Sequence, residues 1–340
     1  MPSSYADRLL AWFDDHGRKD LPWQHPQTPY RVWISEIMLQ QTQVSVVIGY
    51  FERFMARFPT VADLADAPTE DVLSLWAGLG YYARARNLHQ AARQVVAEFG
   101  GEMPSTVDAL ESLPGIGRST AGAIVSMGFG QRAAILDGNV KRVLARHAGV
   151  EGWPGRSPVM KALWREAESR LPDGRHGDFT QASMDLGATV CTRHQPACLL
   201  CPLQDDCVAR LTNRIPELPA PKPRTHRPRR RSFVWLIRDT ENRLLLHRRA
   251  PTGVWGGLWS LPETDSLDCP VQLEDGTTLR QPKPLTHELS HFTWELQPVC
   301  VRSTVSFEVR DADNLAWYAT DALPGLPAPI RRLIEQDASS

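Results

Sequence analysis

The sequence contains no long hydrophobic run, since none of its apolar segments approaches the ~20 residues that a membrane-spanning helix needs. Its first residues, MPSSYADRLLAWFDDHG, include acids and lack the basic stretch and apolar core of a secretory signal. With only 6 cysteines in 340 residues, the chain suits a cofactor site in a reducing compartment better than a disulfide framework. These absences predict a soluble cytoplasmic protein that has no membrane partner.

A strong net charge is also missing, because 38 basic side chains nearly balance 39 acidic ones. The basic residues are nevertheless concentrated in one segment, 214–231, which holds seven Lys or Arg, one acid and five prolines. Because proline favours an extended, semi-rigid chain, this basic Pro-rich segment is predicted to be a solvated linker between two domains. Contact with the phosphates of a nucleic acid would be an addition to that linking role.

The two sides of this linker differ in their hydrophobic pattern. Residues 1–213 carry apolar positions mostly at helical spacing, in segments separated by short Pro/Gly turns, and are predicted to be all-α. Residues 232–340 contain short apolar runs such as Phe233–Ile237 and Leu244–His247, joined by a polar turn. They predict a smaller α+β domain that includes a helix near 327–337.

Four of the cysteines, Cys191, Cys198, Cys201 and Cys207, lie within seventeen residues in the pattern C-x6-C-x2-C-x5-C. Four thiolates suit either a tetrahedral zinc ion or a [4Fe–4S] cluster. Structural zinc sites commonly pair two short Cys-x2-Cys units, and this segment contains only one. The spacing therefore favours an iron–sulfur cluster, while zinc and a disulfide or coincidental arrangement remain as alternatives.

The segment LPGIGRSTAG, residues 113–122, predicts a tight turn that opens onto a helix. Gly115 and Gly117 are expected to allow positive backbone dihedral angles and close approach of a ligand. Because amides at the start of a helix attract phosphate, the pattern is typical of a hairpin that binds the DNA backbone without reading its sequence. A Gly-rich connection between two helices without any ligand is the alternative.

Two carboxylates are expected to differ in protonation. Glu36 lies beside Trp33, Ile34 and Ile37 on an apolar helix, and desolvation by such neighbours raises a carboxyl pKa. Asp137 directly precedes a predicted helix, whose N-terminus favours the anion. A neutral acid and an anion can together cleave a glycosidic bond, one protonating the leaving group and the other stabilising the oxocarbenium-like sugar. Taken singly, Glu36 could be an ordinary helix residue at the edge of a groove, and Asp137 a helix N-cap.

The cysteine quartet, the hairpin and the Asp137 segment occur together with long, specific words that span nearly the whole chain. The words are LPWQ, TPYRVWISEIMLQQTQV, FPTVADLA, LWAGLGYYARARNLH, LPGIGRSTAGAI and ILDGNVKRVLAR. In this order they resemble the endonuclease III superfamily of helix-hairpin-helix DNA glycosylases and, within it, the adenine DNA glycosylases. The resemblance implies a [4Fe–4S] cluster on the loop 191–207.

The resemblance also implies roles for individual residues. Glu36 would be the general acid that protonates adenine, and Asp137 the carboxylate that supports the sugar cation. Gln41 and Tyr81 would insert into the base stack near the damaged guanine, which offsets the cost of extruding the adenine. Further positions match the family's adenine pocket and its hydrogen-bonding support: Leu21, Trp23 and Gln181 in the pocket, and Asn139 beside Asp137. Leu21 and Trp23 would also serve as plain core residues.

Ser119 separates two branches of the superfamily. Relatives that cut the DNA strand through a Schiff base carry a lysine at this helix position, and a serine cannot form that imine. The resemblance therefore implies base removal without a dedicated lyase step.

Residues 232–337 resemble the Nudix-like domain that this family places over 8-oxoguanine, most clearly in RLLLHRRAPTGVWGGLWSLPE. Ser290 and His291 match the family's loop that contacts the oxidised guanine. A working Nudix hydrolase would continue the Gly257-x5-Glu263 pattern into a helix rich in magnesium-binding acids, and no acidic cluster follows here. The domain is therefore predicted to bind a ligand without hydrolysing it.

These features predict a monomeric, monofunctional base-excision repair enzyme that acts on double-stranded DNA and associates with the nucleoid. It would hydrolyse the N-glycosidic bond of adenine mispaired with 8-oxoguanine and, less strongly, with guanine. A glycosylase for mismatched thymine or oxidised pyrimidines on the same fold is the nearest alternative, against which Ser119 and the Nudix-like domain argue. A non-catalytic lesion sensor or a redox protein is disfavoured because neither has a use for the Glu36–Asp137 pair.

Overall fold

The computed structural model describes residues 4–223, 227–250, 253–271, 279–289, 291–302 and 314–338. The chain divides into two compact units. One unit comprises Met1–Pro68 with Arg86–Arg224, and the other comprises Thr69–Ala85 with Thr225–Ser340. An internal segment of the region predicted as all-α therefore groups with the C-terminal part of the chain. Within the described ranges, no helix is both long enough and apolar enough to cross a membrane.

Helices occupy the N-terminal two thirds of the chain, as the apolar spacing predicts. Their bounds are α1 Tyr5–His16, α2 Pro29–Leu39, α3 Val44–Arg57, α4 Val61–Asp66, α5 Thr69–Leu75, α6 Ala83–Phe99, α7 Val107–Glu111, α8 Arg118–Ala123, α9 Gly138–His147, α10 Ser157–Ser169, α11 His176–Asp185 and α12 Val208–Leu211. Two 3₁₀ turns, Pro22–Gln24 and Cys198–Leu200, and two π-helical turns, Ile124–Gly128 and Leu186–Val190, complete this set. The helical part of the predicted fold class is confirmed.

Local sequence signals set the starts of several helices. Ser4 and Asp7 form a capping box at the start of α1, and Thr60 and Asp63 form another at α4. The hydroxyl of Thr28 accepts a hydrogen bond from the Arg31 amide at the start of α2. Such caps satisfy amides that have no partner within the helix, so the chain enters these helices where its short polar residues stand.

Glycines let the site-bearing elements of the first unit approach closely. A Cβ added at Gly128, at the end of the first π-helical turn, would lie 2.7 Å from the Cα of Pro29, the first residue of α2. A Cβ at Gly187, in the second π-helical turn, would lie 2.6 Å from the Cβ of Asn139 in α9. No larger residue fits at these two contacts without displacing backbone.

The segment predicted as a solvated linker differs from that expectation in its first half. Leu218 is buried, and its carbonyl accepts a hydrogen bond from the Nε of Arg146 at 2.9 Å. Arg214 pairs with Glu151, so residues 214–223 pack on the helical unit. Its last residues also have regular structure, because the first strand begins at Arg229.

A mixed sheet with eight strands in the described residues forms the core of the second unit. The strands are β1 Arg229–Arg238, β2 Leu244–Arg248, β3 Trp259–Ser260, β4 Glu263–Thr264, β5 Leu279–Arg280, β6 Leu285–Glu288, β7 Thr293–Arg302 and β8 Leu315–Tyr318. β1 pairs in parallel with β7, with Arg229 opposite Thr293, and pairs antiparallel with β2 and β4. β2 also pairs with β3 and β8, and β7 with β5 and β6.

Side-chain alternation along β1 separates two hydrophobic cores. Val234 and Leu236 belong to one core, which packs against helix α13, Ala328–Ala338. Trp235 and Ile237 belong to the core on the opposite face. The apolar run Phe233–Ile237, which predicted a strand, is apolar throughout because both faces of β1 are buried, and the α+β part of the predicted fold class is confirmed.

Candidate active site and cysteine cage

Glu36 lies on α2 among fully or nearly fully buried side chains. Trp33 is 0% exposed and Ile37 is 3% exposed. Burial, together with the negative charge of Asp137, raises the pKa of Glu36 to about 8. The carboxyl therefore holds its proton at neutral pH and can donate it.

Asp137 is the N-cap of α9, and its carboxylate accepts the amide of Val140 at 2.7 Å. The sequence predicted that the helix N-terminus would favour the anion. The structure shows that burial is the larger effect and raises the pKa of Asp137, while hydrogen bonds from the amides of Val140 and Asn139 oppose it. Desolvation by the surrounding core, which depends on tertiary packing, is the reason for this difference.

The ionisation of Glu36 is coupled to the charge of Asp137. Asp137 accepts two backbone amides and lies near the positive charges of Arg142 and Lys141, all of which favour its ionised form. Glu36 gains no such compensation and is instead disfavoured as an anion by Asp137. Asp137 therefore loses its proton first, and Glu36 keeps its own. A proton donor and a carboxylate close enough to interact is an arrangement suited to glycosidic bond cleavage.

Ser119 and Asn139 stabilise the segment that carries Asp137. The hydroxyl of Ser119, on α8, accepts a hydrogen bond from the backbone amide of Leu136 at 3.0 Å. The side-chain oxygen of Asn139 accepts one from Arg142 Nη2 at 2.8 Å. Both residues singled out from the sequence thus lie beside Asp137 and bind the chain around it.

Arg142, which the sequence analysis did not single out, joins this segment to the cysteine loop. Its Nε donates to the carbonyl of Cys191 at 2.7 Å, and its Nη2 donates to the carbonyl of Gly187 at 2.6 Å. One guanidinium therefore binds Asn139, Gly187 and Cys191 together. No local pattern marks such a residue, because two of its partners, Gly187 and Cys191, are 45 and 49 residues away.

Leu21 directly precedes the 3₁₀ turn Pro22–Gln24, and Trp23 lies within it. Both side chains are buried. Trp23 contacts Phe51 edge to face, with 5.5 Å between ring centroids. Arg31 of α2 lies over the same Phe51 ring and donates to the carbonyl of Pro22 at 2.5 Å. The turn is therefore held against the helix that carries Glu36.

Gly115 and Gly117 of the hairpin differ in backbone conformation and in the space around them. Gly115 has φ +80°, and a Cβ there would lie 2.8 Å from the Cβ of Asn87. Gly117 has φ −100° and ψ 169°, so the expectation of a positive dihedral angle at this position is wrong. Gly117 is instead the extended N-cap of α8, and no atom lies within 4 Å of where its Cβ would be. Gly117 therefore leaves open space at the start of α8 and does not adopt an unusual backbone conformation.

Gln41 and Tyr81 share an uncommon backbone conformation. Their φ values are +61° and +51°, in the left-handed region that residues with a Cβ rarely adopt. Both side chains are exposed, Tyr81 by 53%. Exposed residues held in a costly conformation are concentrated at ligand-binding sites, which supports a function at both positions.

Cys191, Cys198, Cys201 and Cys207 line one cavity. Burial raises the pKa of the Cys201 thiol to about 11 and also raises the pKa of the Cys207 thiol, so neither of these two is an activated nucleophile. Within the described residues, no three His, Cys, Asp or Glu side chains are close enough to bind a single metal ion. Four thiols on one cavity are the donor set that an iron–sulfur cluster requires. Arg146 closes one side, with its Nη1 3.4 Å from the Sγ of Cys191.

In the second unit, His291 lies between β6 and β7 and contacts the ring of Phe292, 4.7 Å away. Ser290, predicted to act with it, lies outside the described residues. The acid of the Nudix pattern, Glu263, is paired with Arg230 at 3.0 Å and Arg249 at 2.9 Å. Each oxygen of the Glu263 carboxylate is therefore paired with an arginine.

Comparison with known proteins agrees with this geometry. Residues 34–169 match the family described as "HhH-GPD superfamily base excision DNA repair protein", and residues 233–336 match the NUDIX domain. The chain is 37% identical over 339 residues to the adenine DNA glycosylase of Buchnera aphidicola subsp. Baizongia pistaciae, covering 97% of this chain and 95% of that protein. It is 47% identical over 217 residues to the human adenine DNA glycosylase, covering 61% of this chain and 40% of that protein.

Among solved structures, a thermostable thymine-DNA glycosylase matches with a TM-score of 0.54 and 29% sequence identity. That likeness covers 61% of this chain and 95% of the other. The relatives that match across nearly the full length, with both the helical and the Nudix-like regions, are adenine DNA glycosylases. The chain therefore belongs to the adenine DNA glycosylase family of the helix-hairpin-helix base-excision repair enzymes.

Proposed function

We propose that this chain removes adenine mispaired with 8-oxoguanine, and with guanine, from double-stranded DNA by hydrolysing the N-glycosidic bond. The observation that carries the proposal is the pairing of Glu36, whose pKa burial raises to about 8, with Asp137 at the N-terminus of α9. The adenine substrate is supported by the names of the relatives that span the whole chain.

In this mechanism Glu36 donates its proton to the adenine as the base leaves. The electrons of the breaking bond then pass to the base, and the sugar develops positive charge at its anomeric carbon. The Asp137 carboxylate stabilises that charge, and hydrogen bonds from the amides of Val140 and Asn139 hold the carboxylate in place. A water molecule then adds to the sugar cation and gives up one proton, which restores the protonated form of Glu36.

Ser119 makes the reaction monofunctional. Strand cleavage in relatives requires an amine that attacks the sugar, and a hydroxyl bound to the Leu136 amide offers no such group. The product is therefore an intact strand with an abasic site.

Gln41, Tyr81 and the hairpin at Gly115 and Gly117 would hold the extruded-base form of the DNA. The strained conformations of Gln41 and Tyr81 support insertion into the base stack. The open space at Gly117 supports close approach of a phosphate. In the second unit, the loop with His291 and Ser290 would contact 8-oxoguanine on the opposite strand.

Cys191, Cys198, Cys201 and Cys207 would hold a [4Fe–4S] cluster. Such a cluster supplies four strong bonds that fix the 191–207 loop, together with the capacity for one-electron transfer. The chain's own contribution is Arg146, which donates to the carbonyls of Thr192 at 2.7 Å and Arg193 at 3.0 Å and keeps the loop closed.

Removal of mismatched thymine is the second candidate, because the thymine-DNA glycosylase shares the helical fold. Its match covers 61% of this chain, whereas the adenine-specific relatives also match the C-terminal region. The whole-length likeness therefore favours adenine.

The test is single-turnover excision on duplexes with adenine opposite 8-oxoguanine, guanine or thymine, and on a duplex with an oxidised pyrimidine, each with and without alkali. We expect cleavage only after alkali, at the adenine, and fastest opposite 8-oxoguanine. Glu36→Gln should retain mismatch binding and lose excision. Strand cleavage at the oxidised pyrimidine without alkali would overturn the proposal, as would full activity of Glu36→Gln.

A further inference from the structure

Tyr81 lies in the loop between α5 and α6, on a backbone that is costly to form. Its φ is +51°, and Gly78 and Gly80 just before it also have positive values, +100° and +73°. Glycine adopts such angles freely, whereas a residue with a Cβ adopts them only at a cost in free energy. Tyr81 is 53% exposed, so burial of its ring does not offset that cost. Other groups must therefore stabilise the loop.

Arg84, in the first turn of α6, supplies contacts of this kind. Its Nη2 donates to the carbonyls of Leu79 and Gly80, both at 3.2 Å. Its backbone amide donates to the carbonyl of Tyr81 at 2.8 Å. The indole Nε1 of Trp76 donates to the Gly80 carbonyl as well, also at 3.2 Å. Arg84 therefore binds the last two carbonyls before Tyr81 and that of Tyr81 itself.

The same guanidinium contacts two aromatic rings. Its central carbon lies 5.6 Å from the ring centroid of Tyr81 and 5.4 Å from that of Trp76. Both distances are within the roughly 6 Å at which a cation is attracted to the face of an aromatic ring. Trp76 is 0% exposed, so it gives the guanidinium a fixed support. The exposed ring of Tyr81 is thereby linked through Arg84 to a buried side chain.

The position of Arg84 is electrostatically unfavourable. The N-terminus of a helix disfavours positive charge, and Arg84 is the second residue of α6. Burial lowers the pKa of Arg84 to about 10, which still leaves the side chain charged at neutral pH. Groups with a perturbed pKa are concentrated at functional sites, so a charge kept here supports a function for Arg84 beyond the fold.

We propose that Arg84 is a positioning residue that holds the exposed ring of Tyr81 in the orientation required for insertion into the base stack. Arg84 acts through Tyr81 and contacts no base itself. The inference rests on the proposed function, in which Tyr81 inserts into DNA, and deepens it by assigning the group that orients the inserting ring. A ring that is already oriented loses less conformational freedom on binding, which lowers the cost of extruding the adenine.

A direct contact of Arg84 with a DNA phosphate is the competing explanation. Lysine also binds a phosphate, as a point charge, but it cannot reproduce a planar fork that bonds two carbonyls and stacks on aromatic rings. Arg84→Lys therefore separates the two explanations. The matched control is Arg53→Lys on α3, because the Arg53 guanidinium also lies over an aromatic ring, that of Tyr50, at 4.7 Å.

Insertion is measured by the fluorescence of 2-aminopurine placed next to 8-oxoguanine, because the emission of this base rises when its stacking is disrupted. The opposite adenosine carries a 2′-fluorine, which slows cleavage of its glycosidic bond. We expect Arg84→Lys to raise the protein concentration that gives half of the fluorescence change by about three- to tenfold, as loss of one cation–π contact implies. Tyr81→Leu should raise it at least as far, and Arg53→Lys should leave it unchanged.

A second measurement leaves Arg84 intact and alters the ring at position 81. Pentafluorophenylalanine reverses the quadrupole of the ring, so the ring no longer attracts the guanidinium, whereas an electron-poor ring still stacks well on a purine. With Tyr81→Phe as the reference, we expect the fluorinated ring to insert more weakly. Equal or stronger insertion would overturn the inference. This comparison also decides the matter if Arg84→Lys does not fold.

The outcomes separate this inference from the proposed function. If wild type does not excise adenine opposite 8-oxoguanine, the proposed function fails. If wild type excises adenine and Arg84→Lys inserts as well as wild type does, only the role of Arg84 is overturned. An equal loss from Arg84→Lys in the wild-type and Tyr81→Leu backgrounds would show that Arg84 acts independently of the Tyr81 ring, as a phosphate contact does, and would also overturn the inference.

Discussion

The hydroxyl of Ser119 accepts a hydrogen bond from the backbone amide of Leu136 at 3.0 Å. This contact joins the helix after the hairpin to the residue that precedes Asp137. A second contact between the same elements is a close approach, since a Cβ at Gly122 would lie 2.1 Å from the carbonyl oxygen of Ala134. The helix that follows the predicted DNA-binding hairpin therefore also positions the segment that carries Asp137.

Ser119→Ala should lower the rate of base excision without weakening DNA binding. The variant leaves the part-buried amide of Leu136 without its acceptor, which costs about 1–3 kcal/mol. We expect the free energy of unfolding to fall by that amount and the single-turnover rate to fall about tenfold, because Asp137 is less firmly placed. A variant that loses stability but keeps the full rate would show that the contact serves the fold alone.

Ser119→Lys should give the chain a lyase activity. The amine introduced beside the Asp137 segment can attack the sugar and form an imine, which a hydroxyl cannot do. Borohydride should then trap a covalent complex with adenine-containing duplex, whereas wild type and Ser119→Ala should form none. Absence of a trapped complex from an active variant would mean that this position does not face the sugar.

Gly122→Ala should destabilise the protein even though alanine favours a helix by about 1 kcal/mol over glycine. The added Cβ would meet the carbonyl of Ala134 at 2.1 Å, which forces backbone to move and costs about 1–3 kcal/mol or more. Gly174→Ala is the control, because a Cβ there meets nothing within 4 Å. Urea unfolding of the two variants should separate them clearly, and equal stability would contradict the close approach.

The raised pKa of Glu36 predicts two pH dependences. The proposed mechanism uses the protonated form of Glu36, so the single-turnover rate should fall as pH rises above about 8. The folded protein binds the Glu36 proton more tightly than the unfolded chain does. The free energy of unfolding should therefore also decrease as the pH rises from 4.5 towards about 8. We expect Glu36, which is partly accessible to solvent, to contribute a decrease of about 1–3 kcal/mol.

Glu36→Gln is the matched variant for this effect, because it keeps the shape and cannot ionise. Its stability should exceed that of wild type at pH 8.5 and approach it at pH 5. Parallel stability profiles for the two proteins would show that Glu36 ionises in the folded state without cost.

Arg142→Lys should weaken both the catalytic segment and the cysteine loop. Lysine cannot reproduce the fork that binds Asn139, Gly187 and Cys191 at once. We expect a loss of about 1.5–3 kcal/mol of stability, slower excision, and less iron and sulfide retained per chain. Arg156→Lys, at an exposed position, is the control. Wild-type iron content together with wild-type rate in Arg142→Lys would refute the link.

Short-range features were readable from the sequence because neighbouring residues determine them. The apolar run Phe233–Ile237 that predicted β1 and the spacing of the four cysteines both depend on residues close together in the chain. For the same reason, the burial of Glu36 could be anticipated from the apolar residues that surround it on α2.

Long-range contacts could not be read in this way. The sequence placed an anion at Asp137 from its position at a helix start, but packing of distant residues raises its pKa. It gave no role to Asp185, whose partner Arg18 lies 167 residues away. Nor did it group Thr69–Ala85 with the C-terminal part of the chain.

The sequence by itself therefore determined the two fold classes, the residue types needed for glycosidic bond cleavage and the four thiols of the cysteine loop. Only the tertiary structure decided that burial raises the pKa of both carboxyls, which arginine joins the cysteine loop to Asp137, and that Nε2 of Gln181 faces Asp185. The physical reason is that desolvation and hydrogen-bond direction depend on every group that surrounds an atom, and most of those groups are distant in the chain.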